Sequence, residues 1–137
     1  LEEIINESLT DRKPVESEFD ILIIDDDTAT LAVLSQFFES KGYTSYGAIT
    51  GAKGLNLLAK SIPKIILLDI ILPDINGYEL CQKIKEDKNL EDVPVFYITA
   101  VPESDVAEKM EETGAEDYFL KPFKFDQFDV IFEYLEG

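Results

Sequence analysis

Several polar residues that could do chemistry stand at the ends of apolar runs in this sequence. Asp25 and Asp26 follow the first run directly, and Asp69 follows a run of Ile and Leu residues. Thr99 and Lys121 end two later runs. A carboxylate at such a position is costly to bury unless a cation pairs with it. These residues are therefore either accidents of packing or the parts of a single site.

The acidic residues predict a site for a hard cation. Carboxylates that lie close together repel one another, and one lysine does not neutralise three of them. The chain has no histidine and one cysteine, Cys81, so the cluster offers oxygen ligands, which favour Mg²⁺. Mg²⁺ also binds phosphate oxygens, which suggests phosphoryl chemistry with one carboxylate as the nucleophile. Thr99 and Lys121 would then bind other phosphoryl oxygens.

Strand and helix patterns alternate from Phe19 onwards and predict the elements that carry these residues. The predicted strands are Ile21–Ile24, Tyr43–Tyr46, Lys64–Asp69, Val95–Ile98 and Tyr118–Leu120. The predicted helices are Thr28–Lys41, Thr50–Ser61, Tyr78–Asp87, Glu103–Thr113 and Phe125–Leu135. Because long apolar runs are typical of parallel strands covered on both faces, we predict an α/β domain. Its sheet would place the polar residues at the carboxyl edge, where such sheets bind ligands.

Residues 1–18 are predicted to be a separate N-terminal extension, with residues 19–137 forming the domain. Residues 1–9 carry apolar residues on one helical face and predict a short amphipathic helix. Residues 10–18 are polar, contain Pro14, and are predicted to be a linker.

Composition indicates which partners to expect. The formal net charge is −17, from 29 acidic against 12 basic residues, so nucleic acid and anionic membranes are poor partners for this chain. No apolar run approaches the length of a membrane span, and the N-terminus lacks the features of a signal peptide. We therefore predict a soluble, cytoplasmic protein.

Taken together, the motifs resemble a receiver domain of the response-regulator superfamily, of the chemotaxis-regulator type, over roughly residues 19–135. The motifs that carry the resemblance are the doublet Asp25-Asp26, Asp69 followed by Pro73 and Gly77, Thr99-Ala100, and Lys121-Pro122. The resemblance implies a flavodoxin-like fold, with a five-stranded parallel sheet of order 2-1-3-4-5 and helices on both faces. It also implies a cis peptide bond between Lys121 and Pro122.

For the metal and the phosphoryl group, the resemblance implies specific roles. Asp69 would accept the phosphoryl group from a histidine kinase or a histidine phosphotransfer protein. Asp25, Asp69 and the main-chain carbonyl of Ile71 would hold Mg²⁺, and Asp26 would act largely through a bound water.

The resemblance also implies how phosphorylation is sensed. Thr99 and Lys121 would contact the phosphoryl group, and Tyr118 would be the aromatic switch residue. The output would be a changed protein-binding surface for a downstream protein that the sequence does not identify. On this interpretation the domain is a signalling switch and not an enzyme.

Two other functions remain open from the residues alone. A phosphatase of the haloacid-dehalogenase class also uses a strand-end aspartate with Mg²⁺, but its D-x-D-x-[TV] motif, begun at Asp25, would place Ala29 where Thr or Val is required. A docking domain that keeps the fold without phosphorylation is the second alternative, and the complete set of site residues argues against it. Asp27, directly before a predicted helix, is expected to be an N-cap rather than part of the site.

Overall fold

The computed structural model describes residues 15–16 and 19–136. Its strands are β1 (Val15–Glu16), β2 (Ile21–Ile24), β3 (Ser45–Ala48), β4 (Ser61–Ile62), β5 (Ile65–Leu68), β6 (Val95–Thr99) and β7 (Asp117–Leu120). Its α-helices are α1 (Thr28–Ser40), α2 (Gly51–Leu58), α3 (Gly77–Glu86), α4 (Glu103–Thr113) and α5 (Asp129–Glu136), and a 3₁₀ helix, Phe125–Phe128, precedes α5. The predicted alternation of strands and helices is confirmed.

Five of these strands form the central sheet, in the order β3-β2-β5-β6-β7. Each neighbouring pair is parallel, and the order corresponds to 2-1-3-4-5 when the five strands are counted along the chain. The predicted flavodoxin-like sheet is therefore confirmed. Because the strands are parallel, their carboxyl ends all lie at one edge of the sheet.

Helices cover both faces of this sheet. Alternate residues of a strand point to opposite faces, so Leu22 and Ile24 of β2 belong to one core cluster, while Ile21 and Ile23 belong to the other. Helices α2, α3 and α4 supply buried residues to the first cluster, and α1 and α5 supply the second. All four residues of β2 and of β5 are buried, which explains why these strands are uninterrupted apolar runs.

Several element boundaries differ from the prediction by a few residues, and two of these differences have reasons visible in the backbone. The second strand of the sheet begins at Ser45, because the backbone N–H of Tyr43 still bonds to the carbonyl of Phe38 and closes the end of α1. Helix α2 ends at Leu58 rather than at Ser61, because Ser61 pairs with Val15 in a short parallel ladder.

That ladder joins β1 to β4, and its strand β1 lies within the segment predicted to be a linker. The predicted amphipathic segment, residues 1–9, lies outside the described residues. Among the helices that the structure describes, none combines the length and the apolar character needed to span a bilayer.

Candidate functional site

Backbone hydrogen bonds that continue past the strand ends fix three of the predicted site residues. The N–H of Asp25 donates to the carbonyl of Ala48, and the N–H of Asp69 donates to the carbonyl of Ile24, both at 2.9 Å. The N–H of Lys121 donates to the carbonyl of Thr99, also at 2.9 Å. Residues distant in sequence are thus held in register by the sheet itself, at its carboxyl edge.

The Lys121 ammonium group lies between two of the carboxylates. Its Nζ is 2.7 Å from Oδ2 of Asp25 and 3.2 Å from Oδ2 of Asp69. Asp25 is 0% exposed and Asp69 is 6% exposed, so both charges are largely removed from solvent. The lysine supplies the cation that buried carboxylates require.

Burial dominates the electrostatics of Asp25. Desolvation raises the pKa of this carboxyl, and the negative charge of Asp69 acts in the same direction, while the hydrogen bonds from Lys121 and from the N–H of Asp27 oppose them. For Lys121, desolvation lowers the pKa, but the hydrogen bonds and charges of Asp25 and Asp69 outweigh it and leave the pKa raised. The lysine is therefore held in its charged form.

Asp26 completes an acidic cluster that could hold a metal ion. One carboxylate oxygen from each of Asp25, Asp26 and Asp69 lies within 4.8 Å of the other two. Asp26 is exposed, whereas the other two acids are buried, so the cluster opens to solvent on the side of Asp26. Three carboxylates against one lysine leave excess negative charge, and a donor set made only of oxygen fits Mg²⁺.

The loop after Asp69 is held close to the cluster. The N–H of Ile71 donates to Oδ1 of Asp69 at 3.4 Å, and the N–H of Gly77 donates to the carbonyl of Ile70 at 2.7 Å. A Cβ at position 77 would collide with the carbonyl oxygen of Asp69 and with the Cα of Ile70. Glycine is therefore required at Gly77, where the first turn of α3 passes directly against the backbone of Asp69.

Thr99 and Tyr118 occupy neighbouring strands. Thr99 is buried, and its Oγ1 accepts a hydrogen bond from the N–H of Val101 at 3.2 Å. Tyr118 is half-buried, and its hydroxyl donates to Oε1 of Glu103 at 2.6 Å. Both residues line the same end of the domain, and Tyr118 and Glu103 border a surface groove of about 400 Å³.

Three of these details bear on the predictions from sequence. The Lys121–Pro122 peptide bond is cis, as predicted. Asp27 caps α1, as predicted, with Oδ1 accepting from the N–H of Ala29 and Oδ2 from the hydroxyl of Thr30. Glu103 was not predicted as the partner of Tyr118, because the two are separated by 15 residues and no local pattern connects them.

Comparison with known proteins agrees with this geometry. The profile of the response regulator receiver domain matches residues 21–133. The chain belongs to this family. Receiver domains are the phosphorylated signalling domains of two-component systems, and this chain carries the sheet, the acidic cluster and the lysine expected of one.

Two curated relatives show how much of a longer protein such a domain can represent. The chain is 33% identical over 117 residues to sporulation initiation phosphotransferase F of Bacillus subtilis, which covers 84% of this chain and 92% of that protein. It is 37% identical over 109 residues to the DNA-binding dual master transcriptional regulator RpaA of Synechocystis sp., covering 78% of this chain. The chain spans only 44% of the length of RpaA.

Solved structures share the same fold. A CheY-like response regulator receiver domain protein from Methanospirillum hungatei superposes with a TM-score of 0.77 at 30% identity, covering 90% of this chain and 95% of that one. The BeF3-activated DrrB receiver domain superposes with a TM-score of 0.77 at 29% identity, covering 88% of this chain and 100% of that one.

Proposed function

We propose that this receiver domain is switched by phosphorylation of Asp69. The observation that carries the proposal is the position of Lys121, whose ammonium group contacts Asp25 and Asp69 together at the carboxyl edge of the sheet. This arrangement places the buried Asp69 against a lysine cation within an acidic cluster, while Asp26 stays open to solvent. A carboxylate so placed can act as a nucleophile toward phosphorus.

The donor would be a phosphohistidine on a histidine kinase or a histidine phosphotransfer protein. A carboxylate oxygen of Asp69 forms the new O–P bond as the N–P bond to the donor histidine breaks, and the histidine leaves with the bonding electron pair. The Lys121 ammonium group would donate to the phosphoryl oxygens, because its Nζ lies 3.2 Å from Oδ2 of Asp69. The Thr99 hydroxyl, on the adjacent strand, would donate a hydrogen bond to the same group.

The metal in this proposal is Mg²⁺, and the residues that would hold it are Asp25, Asp69 and the main-chain carbonyl of Ile71, with Asp26 acting largely through water. Bound Mg²⁺ would neutralise the negative charge that accumulates between the acidic cluster and the incoming phosphoryl group. Asp26 is exposed to solvent, which would suit a cation that retains several water ligands.

Signal output would pass through Tyr118. If Thr99 turns toward the phosphoryl group, the space beside β6 becomes available to the half-buried Tyr118 ring, at the cost of its hydrogen bond to Glu103. The groove next to these two residues would change shape. The proposed output partner is therefore a downstream protein that binds this face. The domain, residues 19–137, would act in the cytoplasm.

Among the alternatives, a haloacid-dehalogenase phosphatase is disfavoured by Asp27. The second aspartate of that motif must be free for catalysis, but both carboxylate oxygens of Asp27 are engaged in capping α1. We therefore expect no turnover of a phosphate monoester such as p-nitrophenyl phosphate.

The direct test is intact-mass spectrometry after incubation with Mg²⁺ and acetyl phosphate. The wild-type protein should gain one phosphoryl group, and Asp69→Asn should gain none. Asp27→Asn is the matched control, because asparagine retains the capping function and the residue lies outside the acidic cluster, so labelling should be normal. Undiminished labelling of Asp69→Asn would overturn the proposal.

A further inference from the structure

Asp74, in the loop between β5 and α3, accepts two hydrogen bonds from the backbone of α2. Its Oδ1 accepts a hydrogen bond from the N–H of Gly51 at 2.8 Å, and its Oδ2 accepts one from the N–H of Ala52 at 2.9 Å. These two N–H donors lower the pKa of the carboxyl, so Asp74 is charged where it meets the first turn of α2. An aspartate in the loop that follows Asp69 is thus bound to a helix 23 residues earlier in the chain.

The contact is close as well as polar. Gly51 is buried, and a Cβ at that position would collide with Cγ2 of Ile75, the neighbour of Asp74. Loop and helix therefore approach each other more nearly than any larger residue at position 51 would allow. The tip of the loop is anchored by hydrogen bonds and by packing together.

Capping alone does not account for Asp74. Helix α2 already has a local N-cap in Thr50, whose Oγ1 accepts from the N–H of Lys53 at 3.1 Å. The hydrogen bonds of Asp74 add two more satisfied N–H groups, but from a different part of the chain. What distinguishes them from the Thr50 cap is that they fix the position of the loop relative to the rest of the domain.

The same loop carries Ile71, and its base is held by other contacts. Ile71 and Asn76 form an isolated antiparallel bridge, and the N–H of Gly77 bonds to the carbonyl of Ile70 at 2.7 Å. The loop is therefore closed at its base, and its tip at Asp74 belongs to the same hydrogen-bonded unit as Ile71. In the proposed function, the carbonyl of Ile71 is one of the groups that hold Mg²⁺.

We infer that Asp74 is a positioning residue for the Mg²⁺ site: by fixing the loop tip to the N-terminus of α2, it sets the place of the Ile71 carbonyl relative to Asp25 and Asp69. This inference depends on the proposed function, since it concerns the same metal site. Asp74 itself would touch neither the metal nor the phosphoryl group.

The test compares the affinity for Mg²⁺ in two variants that weaken the same helix terminus. Asp74→Ala removes the anchor of the loop, whereas Thr50→Ala removes the local cap and leaves the loop contacts in place. Both should lower the melting temperature. Only Asp74→Ala should weaken Mg²⁺ binding, measured by calorimetric titration with MgCl₂, and by roughly tenfold, the lower end of the losses seen when an outer partner of a metal site is removed.

Asp74→Asn provides a graded third variant. Its amide oxygen can accept from one of the two N–H groups, while its NH₂ group cannot accept from the other. We expect a Mg²⁺ affinity between those of wild type and Asp74→Ala, and a rate of labelling by acetyl phosphate that recovers at saturating Mg²⁺. Recovery at high Mg²⁺ distinguishes a misplaced metal ligand from a misfolded site.

The outcomes separate this inference from the proposed function. Equal Mg²⁺ affinities for wild type and Asp74→Ala, or equal losses in Asp74→Ala and Thr50→Ala, would overturn the role of Asp74 while leaving the phosphorylation of Asp69 intact. A wild-type protein that bound no Mg²⁺ and took up no phosphoryl group would overturn both.

Discussion

Two clusters of buried polar residues lie in this domain, and they are built on opposite principles. The site cluster, Asp25, Asp69 and Lys121, is charged and lies at the carboxyl edge of the sheet. The inner cluster, Tyr97, Thr113 and Cys81, is neutral and lies between β6, α3 and α4. Each joins residues that are far apart in sequence, but only the first opens to solvent, through Asp26.

The neutral cluster satisfies most of its own hydrogen bonds. The hydroxyls of Tyr97 and Thr113 are 2.5 Å apart, and the Cys81 thiol donates to the carbonyl of Thr113 at 3.4 Å. Burial raises the pKa of both Tyr97 and Cys81, so these groups stay uncharged. A neutral network of this kind ties α4 to the sheet and has no need of a ligand.

The charged cluster cannot be completed by the protein alone. One lysine faces two buried carboxylates and a third on the surface, so negative charge remains in excess. The comparison indicates that a buried polar cluster with unbalanced charge is a ligand site. A buried polar cluster whose hydrogen-bond donors and acceptors pair with one another stabilises the fold instead. Variants in each cluster can test this distinction.

Lys121→Met should have the largest effect on stability. Without the ammonium group, Asp25 and Asp69 lose the cation that contacts both, and breaking a buried pair costs about 3 kcal/mol, less here because the lysine is partly exposed. Mg²⁺ should recover much of this loss, since a cation that binds only the folded state stabilises it. Urea denaturation in a chelator and in millimolar Mg²⁺ measures both quantities.

The exposed Lys88, between α3 and β6, supplies the matched control. Lys88→Met removes the same charge from the surface and should change stability little in either condition. If Mg²⁺ stabilised Lys121→Met no more than it stabilises wild type, the excess charge of the cluster would not be what draws the cation.

Thr113→Val should have the next largest effect on stability, but without any change in the response to Mg²⁺. The variant leaves the buried hydroxyl of Tyr97 without the Thr113 oxygen and should cost about 1–2 kcal/mol in the free energy of unfolding. Mg²⁺ affinity should stay at the wild-type value, because the inner cluster is not part of the metal site.

The double variant Tyr97→Phe/Thr113→Val sharpens this point. Replacing both partners of a hydrogen bond by apolar groups leaves no unsatisfied hydroxyl, so the double variant should be more stable than Thr113→Val alone. A double variant that was less stable would show that the Tyr97 hydroxyl has a second role.

The two clusters also differ in how far the sequence predicted them. Each residue of the site cluster stands directly after a strand. The predicted alternation of strands and helices therefore brings Asp25, Asp69 and Lys121 to the same edge of the sheet. The partnership of Tyr97 and Thr113 depends on how far α4 extends along the sheet and on the direction of two side chains. Cys81 is buried, and its bond to Thr113 has no counterpart in the local sequence pattern.

The same limit applies to the anchors of the site. Asp74 lies in the loop after β5, and nothing in its sequence neighbourhood indicates that α2 supplies its hydrogen-bond donors. Gly51 and Gly54 reduce the helix propensity of α2, yet both are buried where a side chain would collide with Ile75 or Ile24. Helix propensity describes how much these glycines destabilise α2 as an isolated helix, whereas tertiary packing explains why glycine is needed at both positions.

The smallest effect is expected at Tyr78, whose ring packs beside the inner cluster. Its ring packs edge-to-face against Tyr97, with centroids 5.4 Å apart. Among the described residues, its buried hydroxyl has no hydrogen-bond partner, and burial together with the charge of Asp105 raises the pKa of this phenol. Tyr78→Phe removes a polar group that has lost its hydration, so the variant should be as stable as wild type or more stable by about 0.5 kcal/mol.

Tyr97→Phe is the matched control, since it removes the hydroxyl of the adjacent ring, which is paired with Thr113. That variant should be destabilised by about 1 kcal/mol, the usual net contribution of an intramolecular hydrogen bond. Equilibrium urea denaturation gives the free energy of unfolding of both variants, each of which lacks the hydroxyl of one of the two contacting rings. If Tyr78→Phe lost as much stability as Tyr97→Phe, the Tyr78 hydroxyl would have a partner in solution, and the interface between α3 and α4 would be hydrated rather than sealed. The inner cluster would then resemble the site cluster in needing something beyond the protein to complete it.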